Sequence, residues 1–307
     1  IVRVPRGRQA VSTLEYSLQK EGFVGNDLLY FARHLIAGRR ITDIAYQRRP
    51  KQIVWLVMDD GEFLACTFIP EQSILAWTRH RTAGEVISLT TINNNQGEDD
   101  LWAVVRRRKG DGTFRQYIER LEDRLLYVPD ADNAADAFYV DSGLSLDSFE
   151  PVENVGGLEH LEGREVAVLA DGDVLKPRTV TNGQISLGQP ARKVHAGLPY
   201  QFKLKTLDLE LANQGTLRDC RRLPWHGTVE LYVARELSYR VNGGEAKRLD
   251  MQEGMELGLA LKPETGDRKL ESLAGDSHGV RYEFWSDNPV PCGILSLLAE
   301  AQRGGRA

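Results

Sequence analysis

Two stretches of the chain are written to one plan. Ile53-Val54-Trp55-Leu56-Val57 is a nearly continuous apolar run closed by Asp59-Asp60-Gly61; Leu101-Trp102-Ala103-Val104-Val105 is a second such run, closed by Gly110-Asp111-Gly112. Runs of this length, rich in β-branched and aromatic residues, suit strands buried on both faces, and Asp-Gly punctuation suits hairpin turns. Shorter strand-like runs flank each: Ile41 to Ala45, Glu62 to Phe68 and Ile74 to Arg81 around the first, Val86 to Ile92 and Thr113 to Leu121 around the second. Trp55 and Trp102 stand 47 residues apart. A four-stranded unit recurring every ~40–50 residues is the signature of a propeller blade. We therefore expect two four-stranded antiparallel blades over residues 39–121, with the two tryptophans at equivalent inner-strand positions. Two blades cannot close a propeller, so apolar sheet surface is expected to stay open. The chain begins at Ile1 with a strand-like run, and we expect further blades to precede it.

The remainder also reads as strands. One segment has helical spacing: Asn26 or Asp27 as N-cap, then Leu28, Leu29, Phe31, Ala32, Leu35 and Ile36, with Gly38 at the left-handed C-terminal position. Phe138 to Gly143 is read as a strand returning to the second blade, and Pro151 to Gly157 as a linker. Glu165 to Ala170, an Asn182-Gly183 turn and Lys193 to Tyr200 have the turn density of a small barrel, and the end of the chain has the strand content of a sandwich. The expected fold is mostly β: propeller-type antiparallel blades over 1–150, a small β-barrel-like module over 151–211 and a β-sandwich-like end domain over 212–307.

Composition limits function. With 41% hydrophobic and 27% charged residues the chain builds true cores. A net charge of −5 argues against a protein that grips nucleic acid through phosphate contacts, without excluding DNA passing close by. Cys66, Cys220 and Cys292 are far apart, with no Cys/His metal spacing, as expected of buried thiols in a reducing compartment. No apolar run approaches the ~20 residues of a membrane-crossing helix, and the residues given show no secretory-leader pattern.

Several motifs of common catalysis are missing from the sequence: no GxGxxG, no GK[ST] phosphate loop and no HExxH. Neither a cofactor nor a catalytic residue is assigned. Asp130, Asp132, Asn133, Asp136 and Asp141 resemble a calcium loop, but Ala134 and Ala135 occupy positions 5 and 6, and a solvated loop is favoured. The strongest basic run, Arg106-Arg107-Arg108-Lys109, enters a hairpin turn; a solvated blade edge is favoured over contact with DNA or an acidic neighbouring subunit. His160 and His195 have no carboxylate or serine at a telling spacing and read as turn or core histidines.

A family resemblance runs through these segments. Tyr16-Ser17-Leu18, Gly22 to Leu28, Ile44-Ala45-Tyr46-Gln47 to Pro50, Glu71-Gln72, Ala76-Trp77, Arg79-His80, Leu101-Trp102 and Tyr117-Ile118-Glu119 resemble the tail nozzle proteins of short-tailed phages and prophages, the tail tubular protein B class. Gly157-Leu158, His160-Leu161, Asp171-Gly172 and Gly197-Leu198-Pro199-Tyr200 are similar to that family's small barrel-like domain, and Ser286 to Pro291 with Ile294-Leu295 to its closing segment. The resemblance implies a non-enzymatic structural virion protein, assembled in the host cytoplasm and located in the tail. Its partners would be its own copies in a ring, typically six, the head-to-tail adaptor, fibres or spikes, and DNA passing transiently through the channel. The competing reading is a tail-associated glycan hydrolase, which needs two carboxylates facing across a cleft. A stand-alone propeller adaptor of a cell is a third.

Overall fold

The computed structural model describes residues 1–122, 134–209, 222–249, 251, 263–271 and 279–303. The chain divides into two compact units, Ile1–Asp123 and Arg124–Ala307. Both are built from small antiparallel sheets, so the chain is mostly β.

The first unit opens with two two-stranded pieces, β1 (Val2–Arg3) with β2 (Ser12–Thr13), and β3 (Glu15–Ser17) with β4 (Gly22–Val24). The expected helix over residues 27–38 is instead a chain of tight turns around one 3-10 turn at Arg33–Leu35. Asp27 does cap it, its Oδ1 accepting from the Leu29 amide at 2.8 Å. The amides of Ala32, Leu35, Ile36 and Arg39, however, all reach back three residues and not four. Two carbonyls that an α-helix would use are taken elsewhere. Leu28 O accepts from Trp77 Nε1 at 2.9 Å, and Leu35 O accepts from the Arg39 guanidinium. The helical spacing still buries Leu28, Leu29, Ala32 and Ile36 in one core.

That core is closed by a four-stranded meander: β5 (Ile41–Gln47), β6 (Ile53–Met58), β7 (Phe63–Ile69) and β8 (Ile74–His80), hydrogen-bonded in that order. Val54, Leu56 and Met58 face the N-terminal segment. Trp55 and Val57 face the opposite way, onto a second meander of β9 (Glu85–Asn93), β10 (Asp99–Arg108) and β11 (Phe114–Arg120). Every residue of β6 after Ile53 is buried, which is why its sequence shows no polar alternation. Full burial of one such leucine is worth about 1.5–3 kcal/mol.

The two meanders are laced together. Trp55 Nε1 donates to Gln47 Oε1 (3.1 Å), and Gln47 Nε2 donates to the Asp99 carbonyl (2.7 Å). The Asp99 carboxylate accepts from the Arg48 amide at 2.7 Å, and these backbone contacts hold it below the usual carboxylate range. The β6–β7 turn touches β9 so closely that a Cβ on Gly61 would lie 2.6 Å from Glu85 Cβ, and its φ is +80°. Only glycine meets both demands.

The second meander has three strands among the described residues, not the expected four. Of the segment expected to return to it, Phe138 to Gly143, only the last three residues are in a strand, β12 (Asp141–Val155), and that strand pairs instead with β15 (Ile185–Leu198), reached through β13 (Glu165–Ala170) and β14 (Asp173–Thr179). Pro151 to Val155, read above as a linker, completes that strand, and residue 150 lies inside it. The sheet order is β12-β15-β13-β14, four strands and open among the described residues. Its core holds Leu158, Val166, Val168, Val180, Ile185 and Val194. Gly143 and Gly197 let two backbones cross: a Cβ on Gly197 would lie 2.6 Å from Gly143 Cα.

Two further sheets follow in the second unit. One has β16 (Phe202–Lys205), β21 (Tyr282–Ser286), β18 (Ser238–Val241) and β19 (Lys247–Arg248); the other has β20 (Glu264–Leu270), β17 (Arg222–Ala234) and β22 (Gly293–Arg303). A single core draws Val229 and Leu231 from one and Tyr239, Tyr282 and Phe284 from the other. Ala137, Leu169 and Val290 form a smaller core joining this region to the preceding sheet.

Candidate functional site

Strand alternation decides where the basic run goes. Successive residues of β10 point to opposite faces, so Arg106 and Arg108 lie on one side of the sheet and Arg107 on the other. Arg107 is 4% exposed and holds the Glu119 carboxylate in a two-pronged pair, Nε to Oε1 at 2.7 Å and Nη2 to Oε2 at 2.6 Å. Arg106 is paired with Glu85, and its guanidinium lies 5.4 Å from the centre of the Phe114 ring. Lys109 Nζ reaches Asp111 at 3.2 Å. Asp111 is held down to about 2 by hydrogen bonds from the Thr113 hydroxyl and amide. Arg108 is exposed. The four cations do not form one patch.

The face that carries Arg106 and Arg108 is more informative than the run itself. Cross-strand partners share a face, so Trp102 with Thr90, and Val104 with Ser88 and Ile118, line the side turned away from the first meander. They surround an open concavity of about 370 Å³, to which Ile92 and Ala103 also contribute. Ile118 is 75% exposed, Phe114 62% and Ile92 53%. Trp55 and Trp102 both occupy the second strand of their meanders and both look in the same sense along the stack, but Trp55 is buried under a sheet and Trp102 is only partly buried. Among the described residues no carboxylate lines the concavity.

The second unit contains a constellation that the sequence did not signal. His195 is buried, its Nδ1 2.7 Å from Ser145 Oγ and its Nε2 2.8 Å from the Ala135 carbonyl. A carbonyl only accepts, so Nε2 carries the proton and Nδ1 accepts from the serine hydroxyl. Burial holds the imidazole below its ordinary pKa. Fifty residues separate the pair in sequence, and strand pairing of β12 with β15 sets them opposite one another. His160 Nε2 meets the Ser142 carbonyl at 2.8 Å.

A charged cluster lies on the outer side of the β16-β21-β18-β19 sheet. Glu283 is buried under Lys205 (2.7 Å), Arg240 (2.5 Å) and Lys203 (3.8 Å), and hydrogen bonds from Lys205 and Arg240 hold its carboxyl down to about 2. Arg240 also rests 5.6 Å from the Trp285 ring centre.

Of the calcium-like residues, Asp130, Asp132 and Asn133 lie outside the described residues. Asp136 is paired with Lys193, and Asp141 is in β12. No cluster of three or more His, Cys, Asp or Glu with metal-holding geometry occurs among the described residues. Cys66 is buried and its thiol is pushed up to about 12 by burial; burial pushes the half-buried Cys292 thiol to about 12 as well, and Cys220 lies outside the described residues. No described helix is long and apolar enough to cross a membrane.

No protein-family model matches the chain, and no curated protein matches it.

Proposed function

We propose that this chain is a structural component of a short-tailed phage tail, a nozzle subunit that assembles with copies of itself into a ring through which DNA leaves and around which fibres or spikes attach. The observation that carries the reading is the stacked pair of meanders in the first unit. They share a core, and on the outer face of the second, among the described residues, Ile92, Phe114 and Ile118 are exposed. Such a stack is suited to lateral assembly, since each sheet is completed by the next. The ordered nozzle-like segments from Tyr16 to Ile294 point the same way. On this reading the stack is propeller-type, the β12–β15 sheet belongs to a barrel-like module, and the two closing sheets form a sandwich-like end domain.

Passage of DNA requires that no strong phosphate grip form, because each neutralised phosphate adds affinity and salt dependence. Two of the four cations in the Arg106–Lys109 run are held by Glu85 and Glu119, and Lys109 is held by Asp111. That arrangement fits a structural edge better than a phosphate clamp.

The test is native mass spectrometry and electron microscopy of the purified chain together with tail particles carrying it. Rings in solution, and loss of assembled tails when the chain is deleted, are expected. A monomer that hydrolyses capsule or cell-wall glycan, with activity lost on changing one carboxylate, would overturn the proposal in favour of the hydrolase.

A further inference from the structure

We infer that Ser145 is an activated nucleophile with His195 as its general base, a site that takes the acyl group of a carboxylic ester and passes it to water. The inference does not rest on the nozzle reading. Three observations carry it.

The first is how burial is divided across the pair. Ser145 is exposed on β12, which lies at the edge of its sheet. His195 stands directly across the ladder on β15 and is 3% exposed. The 3-10 turn Ala134–Asp136 and the Phe138 ring, edge-on at 5.6 Å, pack against the imidazole. A hydroxyl open to an incoming ligand is thus backed by a base shielded from water.

The second is the aim of the imidazole. Its Nε2–H donates to the Ala135 carbonyl at 2.8 Å, which fixes the tautomer and turns the Nδ1 lone pair to Ser145 Oγ at 2.7 Å. A nucleophile within hydrogen-bond reach of a base that a third group orients is the arrangement covalent catalysis uses. Three charged groups stand around the ring: Asp136 on the turn, Asp147 on β12 and Lys193 on β15, which pairs with both carboxylates. Their sum is one negative charge, which favours the imidazolium as it forms.

The third is the edge itself. No strand flanks β12 on its outer side among the described residues. Alternate amides of an edge strand point away from the ladder. One such N–H therefore lies within a residue of Ser145, on the side open to a ligand, where it serves the oxyanion of a tetrahedral adduct.

The chemistry balances without a cofactor. Ser145 Oγ attacks the ester carbonyl carbon while its proton passes to His195 Nδ1. The adduct collapses, the bond to the leaving oxygen breaks, and that oxygen takes the proton from Nδ1. Water then repeats the sequence on the acyl-serine, releasing the acid and restoring the hydroxyl. A backbone carbonyl holds the tautomer but stabilises the imidazolium less than a carboxylate does. Turnover is therefore slow, and the substrates are esters whose leaving group departs readily, such as aryl esters.

The test is labelling of the full chain with an alkyl fluorophosphonate, whose phosphorus Ser145 attacks with loss of fluoride while Nδ1 takes the proton. Peptide mass spectrometry should find one label per chain, on Ser145, and p-nitrophenyl acetate should be hydrolysed at the same site. Ser145→Ala, at an exposed position that leaves the fold intact, should abolish both. His195→Gln should slow labelling at least ~100-fold, the lower range for loss of a general base. The labelling rate of the wild type should be level above pH ~6.5 and fall to half below it, because burial lowers the pKa of His195. Should His195→Gln not fold, that profile decides alone. No label on Ser145, label spread over several serines, a folded His195→Gln within ~3-fold of wild type, or a rate that climbs with pH without levelling would each overturn the inference. Rings that form from a chain whose Ser145 stays unlabelled would overturn it while leaving the nozzle proposal standing.

Discussion

Trp55 and Trp102 occupy matching strands, yet the structure assigns them different energetic weight, and substitution by phenylalanine separates them. Trp55 is 3% exposed, between two sheets, and its Nε1 is the donor to Gln47 Oε1. Phenylalanine keeps most of the packing but loses roughly 1 kcal/mol of ring burial. It also strips the buried Gln47 oxygen of a donor, which costs about 1–3 kcal/mol. Trp55→Phe should thus destabilise the first unit by about 2–4 kcal/mol. Trp102 makes no such bond among the described residues and is only partly buried, so Trp102→Phe should cost less than about 1 kcal/mol. With two compact units, whole-chain unfolding is not a single transition. The suitable assay is native-state hydrogen exchange read on peptides from residues 41–69 and 85–120. A double-mutant cycle with Gln47→Leu should return a coupling of about 1 kcal/mol between positions 55 and 47. Equal costs at Trp55 and Trp102, or a Trp55→Phe cost within about 0.5 kcal/mol of zero, would refute the brace between the meanders.

Three further outcomes are expected. His195 has its folded pKa depressed by burial, so the unfolded chain binds the extra proton: stability of the β12–β15 sheet should be level above pH ~6.5 and fall as pH drops below it, and His195→Gln should flatten that slope when urea midpoints are measured from pH 7.5 to 5. Glu283 is also depressed, to about 2, but as a carboxylate; its contribution is present above the usual glutamate pKa and lost as pH falls from there toward 2, and Glu283→Gln should remove that acid-side loss in thermal unfolding. Arg107→Ser should destabilise the first unit by about 2–4 kcal/mol, leaving Glu119 half-buried without its main partner, whereas Arg108→Ser should stay within about 0.5 kcal/mol of the wild type by the same exchange assay.

Much of the sheet structure was legible because its signals are local. The first meander appears nearly residue for residue where the apolar run, the Asp-Gly turn and the alternating flanks place it. The Asn182-Gly183 turn likewise sits in the left-handed region, with φ of 53° and 70°. The misreadings all involve partners distant in sequence. The expected helix is undone by Trp77, 49 residues away, which takes the Leu28 carbonyl. Phe138 to Gly143 reads as a strand, and only its last three residues open one, Asp141–Val155; nothing in them says that it pairs with Ile185–Leu198 and not with β11. Pro151 and Asn154 suggested a linker, yet they fall where the β12–β15 register shifts, between Asp147 and Val152 and again before Asn154. A bulged stretch tolerates the residues that a regular ladder would reject.

The candidate sites show the same limit more sharply. Arg106-Arg107-Arg108-Lys109 looks like a patch only in one dimension; a period of two sends its members to opposite faces, and Glu85, Glu119 and Asp111 then take three of the four. The Ser145–His195 contact was invisible for the converse reason, since fifty intervening residues are cancelled by one strand pairing. What alternation removes from the basic run it gives to the sheet. The same period that hides Arg107 lines up Trp102, Val104 and Ile118 on the other side of the sheet. A run of charge counted along the chain therefore carries little functional meaning here. Its projection onto the sheet carries more, because it sends Arg107 inward to Glu119 and sets Arg106 and Arg108 on the outer face with Trp102 and Val104.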